Sequence, residues 1–301
     1  MRRLYADLAL LFAAAVWGFA FLFQKSAMDH ISPLMFIAAR GGVAALVLAP
    51  LALREARRKP EAAPWGFWQI ATAGGAAFFV AAWLQQSGIV TATVTNTGFL
   101  TALYVVITPF IAWIAMQKRP NAFVWPAVGL SAVGTWLLGG GSLSAFSRGD
   151  LLVALSAAFW ALHVVVVGQA ARYQRPVAFT CVQFLTVALC AAAATLTLEP
   201  FSLSGSLSGL AAASIDILYV GVLSSALTFT LLTVALQYTP PSEAAVIVSL
   251  ETVFAAIGAY WFLGERLGPI GWFGATMILA ATLVIQLGGS KQDARSDTEK
   301  A

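Results

Sequence analysis

Charge is what this chain has least of. Of its 301 residues only 10% are charged, while 60% are hydrophobic. Soluble globular domains carry about 25% charge, so a soluble fold is excluded. Long, nearly uncharged apolar stretches recur from end to end, as membrane spans require. Histidine and cysteine are also scarce, with two of each. Cys181 and Cys190 share one apolar segment, which excludes a disulfide framework and leaves too few ligands for a metal site of their own. They read as two small buried side chains. The sequence holds no His-Glu-x-x-His pair, no Gly-x-Ser-x-Gly elbow and no phosphate-binding glycine loop, which argues against an enzyme and against an ATP-driven pump. No catalytic residue, cofactor or metal is expected. The net charge of +4 is too small to read as affinity for nucleic acid.

What the sequence does have is ten apolar stretches. They place spans at 7–27, 33–53, 66–87, 92–116, 122–140, 149–170, 176–196, 210–235, 243–263 and 268–288. Met1-Arg2-Arg3 resembles the start of a signal peptide, but the apolar run from Leu8 is too long and lacks a cleavage site, so a retained first helix is expected. The breaks between spans are chemically visible: Asp29-His30-Ile31-Ser32-Pro33, the basic loop from Arg54 to Pro60, Gln117-Lys118-Arg119-Pro120-Asn121, Gly139-Gly140-Gly141-Ser142, Thr239-Pro240-Pro241-Ser242 and Gly264-Glu265-Arg266-Leu267-Gly268. Such clusters punctuate helices. One side of the resulting arrangement holds Arg2, Arg3, Arg54, Arg57, Arg58, Lys59, Lys118, Arg119, Arg172, Arg175, Lys291, Arg295 and Lys300; the other holds Arg148 and Arg266. Excess lysine and arginine marks the cytoplasmic side. Both termini are therefore expected there, with residues 289–301 a polar cytoplasmic tail that is disordered from Lys291 on.

The two halves resemble each other. Asp7 and Trp17 match Asp150 and Trp160, and the same offset puts Pro33 on Pro176. A slightly larger offset then puts Gly74 on Gly221, Arg119 on Arg266 and Trp125 on Trp272. Five helices per half is an odd number, so the second half enters the membrane from the opposite side. The expected fold is thus an all-α integral membrane protein of ten transmembrane helices in two inverted five-helix repeats, 7–140 and 149–288. Such architectures place their site near the midplane between repeats and work by alternating access.

Trp17-Gly18, Lys25, Ser32-Pro33 and Ala39-Arg40, followed in the second half by Ser249-Leu250-Glu251 and Leu263-Gly264-Glu265-Arg266-Leu267, resemble the paired signatures of the EamA family in the drug/metabolite transporter superfamily. The resemblance covers about residues 7–288. It implies a ten-helix exporter of amino acids or related metabolites, without an ATP-binding domain, whose helices 1, 3, 4, 6, 8 and 9 ring a cavity. Thr252 stands where the family often has proline, so a kink there is not implied; the matching helix of the first repeat carries Pro109.

The residues themselves nominate a site. Trp17 and Trp160 each lie about ten residues into a span, roughly 15 Å deep, too deep for an interfacial belt. They are expected to form aromatic walls of the cavity, extended by Phe79, Trp83 and Tyr104. Glu251 is also mid-span, where an acid needs water, a partner or a pathway; it is the candidate for proton coupling, with Tyr104 opposite it by the repeat offset. Arg40 lies about 10 Å deep and needs a partner such as a substrate carboxylate, while Lys25 is near enough to the edge to snorkel; both are candidates for gating or coupling. His163 is one turn from Trp160 and a further cavity candidate. Gln24, Gln85, Gln86, Asn96 and Gln183 either join helices or bind solute. Asp7 and Asp150 sit at helix starts and are expected to cap them.

These features point to an inner-membrane exporter of small organic solutes, with aromatic walls suited to apolar or aromatic amino acids or to an organic cation. The expected partners are that solute and the lipid bilayer, and no nucleic acid. An importer, a channel-like facilitator and an intramembrane enzyme are the alternatives.

Overall fold

The computed structural model describes residues 3–59, 61–117, 119–138, 147–199, 203–266 and 268–298. The breaker at 139–142 lies outside the described residues, as do Arg2, Pro60, Lys118, Leu267 and Lys300. In chain order the helices are α1 (Arg3–Ala27), α2 (Pro33–Arg58), α3 (Trp65–Ile89), α4 (Val94–Met116), α5 (Val124–Leu138), α6 (Arg148–Ala170), α7 (Pro176–Leu198), α8 (Ser214–Ala235), α9 (Pro241–Leu263) and α10 (Pro269–Thr298). Among the described residues there is no strand. Among the described residues eight helices are long and apolar enough to cross a membrane; α5 and the apolar part of α10, Pro269–Ile285, are shorter. A separate short helix, Leu203–Ala212, leads into α8 where the sequence implied one continuous span. At the other end α10 carries helical backbone as far as Thr298, through most of a tail whose composition implied disorder.

Helix ends follow the local chemistry. Proline opens α2, α7 and α9, where its missing N–H costs nothing. Ser147 and Asp150 form a reciprocal capping box at the start of α6, with Asp150 N to Ser147 Oγ at 3.0 Å and Ser147 N to Asp150 Oδ2 at 2.9 Å. Asp7, expected to cap in the same way, does not. Because α1 begins at Arg3, Asp7 lies in its second turn, where it accepts a hydrogen bond from Thr239 Oγ1 at 2.9 Å and faces Arg3 at 3.8 Å. The left-handed residues Gln117 (φ 54°) and Gly264 (φ 69°) terminate α4 and α9.

The helices pack in matched pairs. α2 lies along α7 and α5 along α10; α3 packs on α6 as α8 packs on α1, and α4 packs on α6 as α9 packs on α1. The α2–α7 pair is stapled at both ends. Glu199, just past α7, accepts from Ser32 Oγ (2.5 Å) and Leu34 N (3.2 Å) at the start of α2. Glu55, near the end of α2, accepts from Ala178 N (2.8 Å) and Val177 N (3.4 Å) at the start of α7. α5 and α10 approach closely through Gly134, where a Cβ would sit 2.7 Å from the carbonyl oxygen of Gly274, as small-residue helix contacts in membranes do. Outward faces carry large apolar side chains such as Leu46, Trp65, Ile114 and Ile215, each more than 70% exposed, a surface made for lipid.

Two spans are broken at matching places. α4 is interrupted at Ala102 and Leu103 and resumes at Tyr104; α9 is interrupted at Ser249 and Leu250 and resumes at Glu251. The break in α9 forms without the proline whose absence at Thr252 left a kink unsupported. Hydroxyl back-bonding accompanies it instead, Ser249 Oγ to Val246 O at 2.7 Å and Thr252 Oγ1 to Ser249 O at 2.9 Å, a contact known to bend helices. In α8 a nine-residue π-helical stretch, Tyr219–Leu227, widens the middle of the span. Such stretches gather at functional sites.

Candidate functional site

A cavity of about 60 Å³ opens where these irregular segments meet. Each of α1, α3, α4, α6, α8 and α9 lines it, and α2 adds one side chain, Arg40. Space of that size holds a few waters; a solute as large as an amino acid needs the walls to part.

The cavity is built on stacked rings. Phe78 of α3 stands at the centre, edge-on to Trp160 (4.9 Å), His163 (5.4 Å), Phe184 (5.0 Å) and Phe229 (4.9 Å). Phe229 of α8 joins the two repeat-related tryptophans, lying 4.7 Å from Trp17 and 6.2 Å from Trp160. Trp17 donates its indole N–H to Ser224 O at 2.9 Å, in the π-helical stretch. The indole nitrogen of Trp160 is buried and has no partner among the described residues.

Charge enters from two places. Arg40 is buried, its guanidinium set over the rings of Phe78 (5.4 Å) and Phe36 (5.8 Å), and its Nε has no hydrogen-bond partner among the described residues. Glu251 is buried at the first residue of the resumed helix in α9, where the positive end of the helix dipole favours a carboxylate. Its carboxyl is hydrogen-bonded to the Tyr104 phenol, the corresponding residue of α4, and Oε1 has no partner among the described residues. His163 faces Gln183 of α7 through Nε2 at 2.9 Å, and its Nδ1 has no partner among the described residues.

Of the residues nominated by sequence, Trp17, Tyr104, Trp160, His163, Arg40 and Glu251 meet around this cavity. Phe79 and Trp83 do not: they stack on each other at 6.0 Å, away from the lining. The ring that enters is their neighbour Phe78, about 100° round the helix, a difference that composition does not register. Lys25 is elsewhere too. Its Nζ closes the end of α3 by donating to Ile89 O (2.7 Å), Val90 O (2.9 Å) and Ala92 O (3.1 Å). Phe229 and Ser224 carried no sequence signal, being one apolar and one small residue in an apolar run. Gln24 and Gln85 line the cavity, whereas Gln86 reaches Gln24 O at 2.9 Å and ties α3 to α1.

Polar latches close the two ends of the bundle. At one, Arg3 pairs with Glu243 and Asp7, and Asn121 Nδ2 donates to Glu243 Oε1 at 2.8 Å, joining α1, α9 and the α4–α5 turn. At the other, Asn96 Nδ2 meets Asp150 Oδ1 at 3.4 Å, and Thr95 donates to Glu265, joining α4, α6 and the α9–α10 turn. Glu243 and Asn96 hold corresponding positions in α9 and α4, so the same latch is charged at one end and weaker at the other.

The chain is similar to known proteins. The chain is 32% identical over 292 residues to an uncharacterized transporter of Archaeoglobus fulgidus, covering 95% of this chain and 87% of that protein. It is 29% identical over 295 residues to the uncharacterized transporter YwfM of Bacillus subtilis, 95% of each. A 180-residue stretch, 58% of each chain, is 29% identical to the threonine/homoserine exporter RhtA of Escherichia coli. A solved crystal structure superposes with a TM-score of 0.76 at 15% identity, covering 97% of this chain and 99% of that one, which shows a shared fold. The EamA-like transporter family matches residues 4–140 and 147–287. With eight membrane-length helices among the described residues and a family match over both halves, this chain is a multi-pass inner-membrane transporter that belongs to the EamA family of the drug/metabolite transporter superfamily.

Proposed function

We propose that the chain exports compact amino acids and related metabolites by alternating access. The proposed architecture is ten spans in two inverted five-helix repeats, 7–140 and 149–288, with both termini and the 289–301 tail cytoplasmic. One observation carries the substrate reading. Nine buried side-chain polar atoms lack a partner among the described residues, and five of them, on Gln24, Arg40, Trp160, His163 and Glu251, belong to residues lining this one cavity. Unsatisfied buried polar groups are rare in native structures, and a solute that reaches them satisfies them.

The charges suit a zwitterion. Arg40 holds the α-carboxylate, and the bare oxygen of Glu251 accepts from the α-ammonium. A carboxyl that carries either a proton or an ammonium, never both, exchanges one for the other, which couples export to proton entry. Tyr104 keeps that carboxyl oriented. The rings already pack on one another, and the cavity is small. Both facts narrow an apolar or aromatic solute to a compact one, and the named RhtA relative supports amino-acid export. The matched helix pairs and broken spans support the inverted repeat, and the charged and weaker latches would open in turn. The solute undergoes no covalent change.

Purified protein in liposomes, given labelled amino acids with and without a pH gradient, tests this. Saturable flux of small amino acids, faster with the gradient, is expected. No flux of any amino acid under either condition would overturn the reading.

A further inference from the structure

We infer that Trp160 and His163 form a subsite that reads a hydroxyl on the solute's side chain. This rests on the amino-acid reading above and deepens it. The two residues lie one helical turn apart on α6, on one face, with ring centroids 5.9 Å apart and planes at 89°.

Their hydrogen-bonding states are complementary. The Trp160 indole nitrogen is a donor only, and it has no partner. A carbonyl oxygen only accepts, so Gln183 Oε1, 2.9 Å from His163 Nε2, places the proton on Nε2. Nδ1 is then an acceptor, and it too has no partner. One free donor and one free acceptor, a turn apart on α6, match an alcohol, whose single oxygen both accepts and donates. A carboxylate uses only the donor, an ammonium only the acceptor, and a methyl group neither.

The pair exists on one side of the cavity alone. Trp17, the counterpart of Trp160, already spends its N–H on Ser224 O at 2.9 Å, and the position matching His163 in the first half is Ala20. By the same offset Gln183 is the counterpart of Arg40. What is a cation in α2 is, in α7, the amide that sets the His163 tautomer. The solute is therefore seated one way round, its backbone charges towards Arg40 and Glu251 and its side chain towards α6. The apolar lining nearby, Phe78, Val164, Phe229 and Leu232, suits a short carbon chain bearing that hydroxyl.

Pairs of amino acids that differ by little more than a hydroxyl test this in liposomes containing the whole protein. Threonine and valine, and serine and alanine, compete against a labelled amino acid that is transported. Each hydroxylated member is expected to compete at a concentration at least tenfold lower than its partner. The threonine-to-valine ratio should fall towards one in Trp160→Phe and His163→Leu. Equal competition in the unaltered protein, or a ratio unchanged in both variants, overturns the inference while leaving amino-acid transport standing. The comparison in the unaltered protein needs no variant to fold. If no amino acid is transported at all, the amino-acid reading fails, and this inference with it.

Discussion

Tyr104 and Glu251 hold the same place in the two halves, each the first residue after a break in mid-span, and their side chains are hydrogen-bonded to each other. The two interrupted helices are thus joined at their interruptions. Under the exchange mechanism, Glu251→Gln keeps the shape but cannot trade a proton for an ammonium. Flux driven by a pH gradient should vanish in that variant. Tyr104→Phe removes one hydrogen bond to a carboxyl and should slow flux by about tenfold, given roughly 1.5–3 kcal/mol for a charge-assisted bond. Initial rates in liposomes check both; gradient-driven flux at the unaltered rate in Glu251→Gln would sink the coupling role.

The latch of Arg3, Asp7 and Glu243 gives a prediction about access. Removing one member of a buried pair costs about 3–5 kcal/mol, and the Glu243 side chain is only 1% exposed. Glu243→Gln should favour the state open at that end. With Cys181 and Cys190 replaced, a cysteine at Gln237, beside the latch, should react with a water-soluble thiol reagent about a hundredfold faster or more in Glu243→Gln, since each 1.4 kcal/mol is tenfold. An unchanged labelling rate would show that the latch does not hold that end shut.

Glycines separate into those that must stay small and those that need not. A Cβ on Gly18 would lie 2.5 Å from Phe254 Cβ and 2.6 Å from Glu251 O, whereas one on Gly129 would meet nothing within 4 Å. Gly18→Ala should therefore force α1 off α9, costing about 1–3 kcal/mol and displacing Trp17 and Glu251. Gly129→Ala should be neutral or stabilising by up to about 1 kcal/mol. Thermal unfolding in detergent measures both, and an equal tolerance of the two substitutions would contradict the packing described.

Glu55 and Glu199 cap each other's helices. Replacing either with alanine should destabilise by about 1 kcal/mol, seen as a lower midpoint in the same unfolding measurement. The two losses should add, because the caps sit at opposite ends of the α2–α7 pair and share no partner.

Much of this protein was legible in its sequence because lipid imposes one strong rule, that backbone polar groups be satisfied within the span. Membrane-length helices and the breaks between them follow from it. The cavity was legible where a residue was out of place, as Trp17, Trp160, Arg40 and Glu251 are. It was illegible where the choice lay between neighbours on an apolar helix. Phe78 and Phe79 differ only in which way they point, and that is set by α6 and α8, far away in the chain. Lys25 was read as a charge in search of water, when it had three carbonyls waiting at the end of α3. The π-helical stretch left no compositional trace, because its cause is a shift in hydrogen-bond register within an ordinary apolar run.

The two glutamate caps also bear on the order in which the protein can be finished. A ribosome delivers α2 long before Glu199 exists, and until that residue arrives the start of α2 keeps open backbone donors. Glu55, by contrast, is ready before α7 is made. The start of α2 is therefore completed only by a residue of the second half. Although its halves descend from one pattern, they come of age together.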